Sequence, residues 1–160
     1  MRAWKGGVSE ADIRQLLGQQ KLQLVAATGA AQTISNLLVG LTDLSSGSAP
    51  IISKPFAQQC SKQLLAGTAQ KIVSSGNSQN VCNAMWACGE LGLADAAYLS
   101  AAAAAAARWV PSSFFLEVVQ AATACAKLQL RHQGLMAALL RRGQQVVDTP
   151  SLRRPRRTSP

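Results

Sequence analysis

The sequence predicts an all-α fold, on three observations. Apolar residues recur at helical spacing along most of the chain, and no stretch alternates with period two. Alanine and leucine dominate, while charged residues make up only 14 % of the 160 positions. The breaks between helical stretches are short and rich in Ser, Gly and Pro. The expected architecture is an α-solenoid of about three two-helix repeats, with an N-terminal helix before it and a flexible basic tail after it. The expected bounds are 1–29 for the N-terminal helix, which could close a preceding repeat, and 30–147 for the array (30–76, 77–110 and 111–147). The tail is 148–160.

The elements follow from local signals. "SEAD" at Ser9 to Asp12 is a capping box, with Ser9 able to cap and Asp12 at the third helical position. It opens a helix expected to reach about Val25. Gly29 interrupts, and a second helix runs over Ala30 to Leu44. The loop "SSGSAPIIS" follows. Helical patterns then cover Pro55 to Val73, Ser78 to Leu91, Asp95 to Trp109, Ser112 to Leu130 and His132 to Val147. Pro150 stops the last helix, and "SLRRPRRTSP" has nothing to bury.

Seven helices with short connections call for a search for internal repeats. Alignment on Leu44, Leu91 and Leu128 makes three apolar stripes coincide. They are Ile34, Leu38, Leu41; Val81, Met85, Cys88; and Val118, Ala122, Cys125. Any amphipathic helix has such a stripe. The polar positions add information, because Asn36, Asn83 and Gln120 share one register and Thr33, Asn80 and Glu117 another. The copies are 47 and 37 residues apart, and the extra ten correspond to the Ser/Gly/Pro loop inside the first. Each copy carries a second apolar helix, and the alanine run from Ala101 to Ala107 suits close packing.

Charge and chemistry narrow the function. The chain carries a formal +9. An excess of that size favours a polyanion, because each cation that meets a phosphate releases counterions. An anionic membrane surface could use the same charge, but the seven-alanine run is too short to span a bilayer, and the expected partner is RNA with no membrane. The start, "MRAWKGGVSEADI", lacks the apolar core of a secretory signal and acquires Glu10 and Asp12 too early for a transit peptide. Either a targeting segment has been removed or the chain is partial. Cys60, Cys82, Cys88 and Cys125 form no C-x-x-C pair and His132 stands alone, so buried thiols are expected and no metal or cofactor. No Ser/His/Asp set, phosphate-cradling Gly loop or paired carboxylates appear, so neither an enzyme nor a small-molecule substrate is expected.

The stretch "NSQNVCNAMWACGELGL" resembles the signature of octotricopeptide repeats, helical hairpins of green algal organelle proteins. Asn83, Trp86, Ala87, Leu91 and Gly92 sit on that pattern, and the resemblance extends over roughly residues 30 to 147. The flanking copies depart from it: Val39 and Thr123 stand where the tryptophan would be, and the first copy holds its insertion. The resemblance implies single-stranded RNA bound along the first helix of each pair, with polar side chains at base edges and cations at phosphates. The residues expected to face RNA are Gln32, Thr33, Asn36, Gln79, Asn80, Asn83, Glu117 and Gln120. Arg108, Lys127, Arg131, Arg141 and Arg142 are the expected basic partners within the array, and Arg153, Arg154, Arg156 and Arg157 in the tail. Asn83 keeps a second reading, as a hydrogen-bonding residue between repeats. Trp86 is expected to pack between units rather than stack a base.

Three repeats at one base each distinguish only about 64 sequences, too few to select one transcript. The expectation is therefore a structural RNA-binding component of an organellar ribonucleoprotein, foremost an algal mitochondrial or chloroplast ribosome, touching rRNA and neighbouring proteins. A longer transcript-specific factor and a helical protein–protein adaptor are the alternatives.

Overall fold

The computed structural model describes residues 7–148, and among these every regular element is helical. The elements are α1 (Glu10–Leu16), α2 (Gln19–Thr28), α3 (Ala31–Leu44), α4 (Lys54–Ser75), α5 (Ser78–Leu91), α6 (Ala96–Ala104), α7 (Ala106–Trp109), a 3-10 turn (Val110–Ser112), α8 (Phe115–Lys127) and α9 (Gln133–Val147).

The helices pack as two series. In one, α3 packs on α5 and α5 on α8. In the other, α2 packs on α4, α4 on α6, and α6 and α7 on α9. Contacts of α3 with α4, α4 with α5 and α8 with α9 join the series around a continuous core. The apolar stripes read from the sequence lie in that core: Ile34, Leu38, Leu41, Val81, Met85, Cys88, Val118 and Cys125 are buried. Ala122, on the last helix of its series, is only half-buried.

Two expected helices are each broken in two. The N-terminal one stops at Leu17 and restarts after Gly18, a poor helix residue. The break lets α1 turn onto the start of α4. There the Glu10 carboxylate accepts from the Ser53 amide at 2.6 Å, and the Arg14 guanidinium lies 4.0 Å from the Phe56 ring centroid. The Ser53 amide and Arg14 together hold the Glu10 carboxyl below its usual range. The helix expected over Asp95 to Trp109 breaks at Ala105. The buried Trp109 indole donates to the Ala102 carbonyl at 2.9 Å, an acceptor that a continuous helix would reserve for Ala106. The helix expected from Ser112 begins at Phe115 instead, because Pro111 holds the preceding residues in a 3-10 turn.

The ends of α5 and α8 are built alike. Gly92 and Gln129 both take the left-handed conformation, at φ +70° and +52°. The amides of Leu93 and Leu130 reach back to the Cys88 and Cys125 carbonyls at 2.8 and 2.9 Å, which satisfies orphan acceptors of the last turn. After α3 the chain enters its longer loop instead, and Thr42 accepts from the Ser45 and Ser46 hydroxyls.

Candidate functional site

The candidate surface is the outward side of α3, α5 and α8. At about 100° per residue, one face of these helices collects Gln32, Asn36, Val39 and Asp43; Gln79, Asn83, Trp86 and Glu90; and Leu116, Gln120, Thr123 and Lys127. All twelve are exposed or half-buried. The three helices are neighbours in order, so equivalent positions form columns. The column Asn36, Asn83, Gln120 consists of primary amides, and Gln32 and Gln79 lie one turn nearer the helix starts. None of these five side chains, nor Thr33, which is also exposed, is engaged in a hydrogen bond within the described residues.

Asn80 and Glu117 do not belong to that surface, contrary to the sequence expectation. Both are buried, and both sit at the third position of their helix. The Asn80 side chain accepts from the Asn77 amide at 3.2 Å, while its own backbone amide donates to Asn77 Oδ1 at 2.9 Å. Its Nδ2 also donates to Ser35 Oγ on α3 at 3.3 Å. Glu117 accepts from the Phe114 amide at 2.9 Å and stands close enough to Cys82 on α5 to affect its thiol. Asn80 and Glu117 thus each cap their own helix, and Asn80 also bonds Ser35 on the preceding one. The recurrence of Thr33, Asn80 and Glu117 is therefore a capping register. In α3 the cap is absent, and Thr33 remains at the surface.

The basic residues divide in an unexpected way. Arg108 donates to the Gly76 carbonyl at 3.2 Å and to the Val73 carbonyl. Arg142 donates to the Ser113 carbonyl at 2.7 Å. Lys71, which the sequence did not single out, donates to Ala26, Ala27 and Gly29 at 3.0, 3.1 and 3.3 Å. Lys71 and Arg108 thus clamp carbonyls at the C-terminal ends of α2 and α4, where the helix dipole is negative, and Arg142 bonds the carbonyl that follows the 3-10 turn. A signal was present: Lys71 and Arg108 are 37 residues apart, the same spacing as Leu91 and Leu128. Lys127 reaches Glu90 at 2.5 Å along the outward face. Arg131 and Arg141 are exposed without an internal partner among the described residues. Arg153, Arg154, Arg156 and Arg157 lie outside the described residues.

The face bearing the amide columns is itself close to neutral, with Asp43 and Glu90 opposing Lys127. Ten of the sixteen cations and all seven acids fall within residues 7–148. That balance is +3, so six of the nine excess charges belong to residues 1–6 and 149–160. Trp86 lies half-buried on the outward face beside Asn83, with part of its ring packed against the core.

All four cysteines are buried as free thiols. Burial raises the Cys60 and Cys125 thiols, and pushes Cys82 and Cys88 up to about 12, with the Glu117 and Asp95 charges adding to the effect at Cys82 and Cys88 respectively. Such thiols are poor nucleophiles at neutral pH. Among the described residues no three His, Cys, Asp or Glu side chains gather as a metal site, and no helix is long and apolar enough to cross a membrane. No protein-family model, no curated protein and no solved structure matches the chain.

Proposed function

We propose that this chain is an α-solenoid of three two-helix units that binds single-stranded RNA, as a structural accessory component of an algal organellar ribosome that holds an rRNA segment. The observation that carries the reading is the set of unspent amides Asn36, Asn83 and Gln120, with Gln32 and Gln79 beside them, on the outward face of three adjacent helices. A primary amide both donates and accepts, so a column of them matches the mixed edges of unstacked bases. Trp86 offers a partly exposed ring on the same face. Phosphate contacts then fall to Arg131, Arg141 and the terminal basic residues, because Arg108 and Arg142 are occupied with backbone carbonyls.

Binding of a fluorescent single-stranded RNA to the full chain tests this. Asn36→Ala, Asn83→Ala and Gln120→Ala together should weaken binding by about tenfold and leave the melting temperature unchanged. Asn80→Ala should do the reverse, lowering the melting temperature through the lost cap while the fraction that remains folded binds normally. Equal affinity of the triple variant and the parent would overturn the RNA reading.

The presence of Asp43 and Glu90 on the same face favours a protein–protein adaptor as the second reading. An adaptor predicts partners that survive nuclease treatment.

A further inference from the structure

The outer face of α8 and α9 is an interior interface without its occupant. On α3 and α5, the side turned toward the next helix of the series carries Ala31, Ser35, Leu38 and Thr42, and Ser78, Cys82, Met85 and Gly89, all buried. Their equivalents on α8 are Phe115, Val119, Ala122 and Ala126, of which Phe115 is 50 % and Val119 42 % exposed. The second series repeats the contrast. Ala103 on α6 is buried, whereas Leu140, 37 residues on and in α9, is 71 % exposed. A solenoid end that faces water ordinarily carries polar residues there. This end carries Phe, Val and Leu.

A further unit of the interior kind does not fit the face. Inside the molecule, Asn80 of the incoming α5 bonds Ser35 on α3, and Gly89 lets α8 approach so closely that a Cβ there would stand 2.9 Å from Ala124 Cα. Val119 has no polar atom to offer, and Leu140 is far bulkier than Ala103. The occupant must therefore be apolar where interior partners are polar, and must stand further off.

The face itself supplies such an occupant. Its N-terminal half is a knob, formed by Phe115 and Val119 with Leu116 alongside. Its C-terminal half is a largely apolar notch of about 540 Å³ between α8 and α9, lined by Ala122, Ala126, Gln129, Leu130 and Met136 among others. Phe115 lies seven residues before Ala122, and Gln129 seven after it. A two-fold axis through Ala122 thus sets the knob of each copy, about 10 Å along the helix, against the notch of the other. We propose that this face binds a second copy of the chain, with the two α8 helices antiparallel about Ala122. The pairing is isologous and closes at two copies. Two chains of +9 repel one another, so the dimer strengthens as salt is raised, opposite to the salt dependence of RNA binding.

Sedimentation of the full chain without RNA tests the proposal. The expected result is a monomer–dimer equilibrium that shifts toward dimer with concentration and salt. Val119→Lys combined with Leu140→Glu should give a monomer with unchanged helicity, since both positions are exposed. Independently, Ala122→Cys should form a disulfide-linked dimer on mild oxidation, while cysteine placed at exposed Gln20, away from the face, should not. A monomer at all concentrations, assembly beyond two copies, or a dimer indifferent to both variants would each overturn it.

Discussion

Gln129 stands at φ +52°, where Gly92 stands at +70° in the equivalent turn. A side chain in the left-handed region costs about 1–2 kcal/mol, so the α8–α9 turn holds a strain that the turn after α5 avoids. Gln129→Gly should therefore stabilise the protein by about 1 kcal/mol and Gly92→Ala should destabilise it by a similar amount, both measured by denaturant unfolding. A Gln129→Gly variant no more stable than the parent would mean that the turn is held by its hydrogen bonds alone. Asn80 and Asn83 make the companion point. They lie three residues apart on one helix, yet one is buried in a cap and an interhelical bond while the other faces outward. Residue type is the same for both. Only position relative to the helix start separates them.

At the scale of elements, the repeated device is the cationic clamp. Lys71 and Arg108 each bond carbonyls at the end of the preceding long helix of the second series, groups that a helix terminus otherwise leaves to water, and Arg142 holds the Ser113 carbonyl beyond the 3-10 turn. Hydrogen bonds to charged groups contribute about 1.5–3 kcal/mol, so Arg108→Met should cost about 2 kcal/mol. Hydrogen exchange should accelerate first in the last turn of α4, around Val73 to Ser75. Arg141→Met, which removes a cation with no internal partner among the described residues, should change neither quantity. If the two variants behave alike, the Arg108 bonds contribute nothing to stability. The caps of Asn80 and Glu117 act at the other termini, and Asn80 also ties the start of α5 to α3.

Across the whole molecule, the core protects its thiols, and that has a consequence at alkaline pH. Cys82 and Cys88 are pushed up to about 12 from an ordinary value of 9.0, with burial the first cause. Above pH 9 the unfolded chain releases protons that the folded chain keeps. The contribution of the protonated thiols to stability is thus complete below pH 9 and is lost as pH rises toward 12. The denaturant midpoint should fall over that interval, and less steeply in a Cys82→Ala, Cys88→Ala double variant. Equal slopes in the two proteins would show that other groups govern alkaline unfolding. The same burial makes alkylation of these thiols a readout of global opening.

Helix content and the stripe that faces the core were legible in the sequence, because local spacing fixes both. Ile34, Val81 and Val118 could be placed inward from periodicity alone. The breaks at Gly18 and Ala105 were not so placed, since one serves a docking of α1 on α4 and the other an indole that takes a carbonyl seven residues back. The amide columns at Asn36, Asn83 and Gln120 were legible as a register, and the tertiary structure leaves them at the surface. It removed Asn80 and Glu117 from that surface, and it directed Arg108 and Arg142 to backbone carbonyls. A sequence shows that a polar residue recurs. Whether the residue is spent depends on which donor or acceptor the neighbouring helix brings within about 3 Å, and that distance exists only after packing.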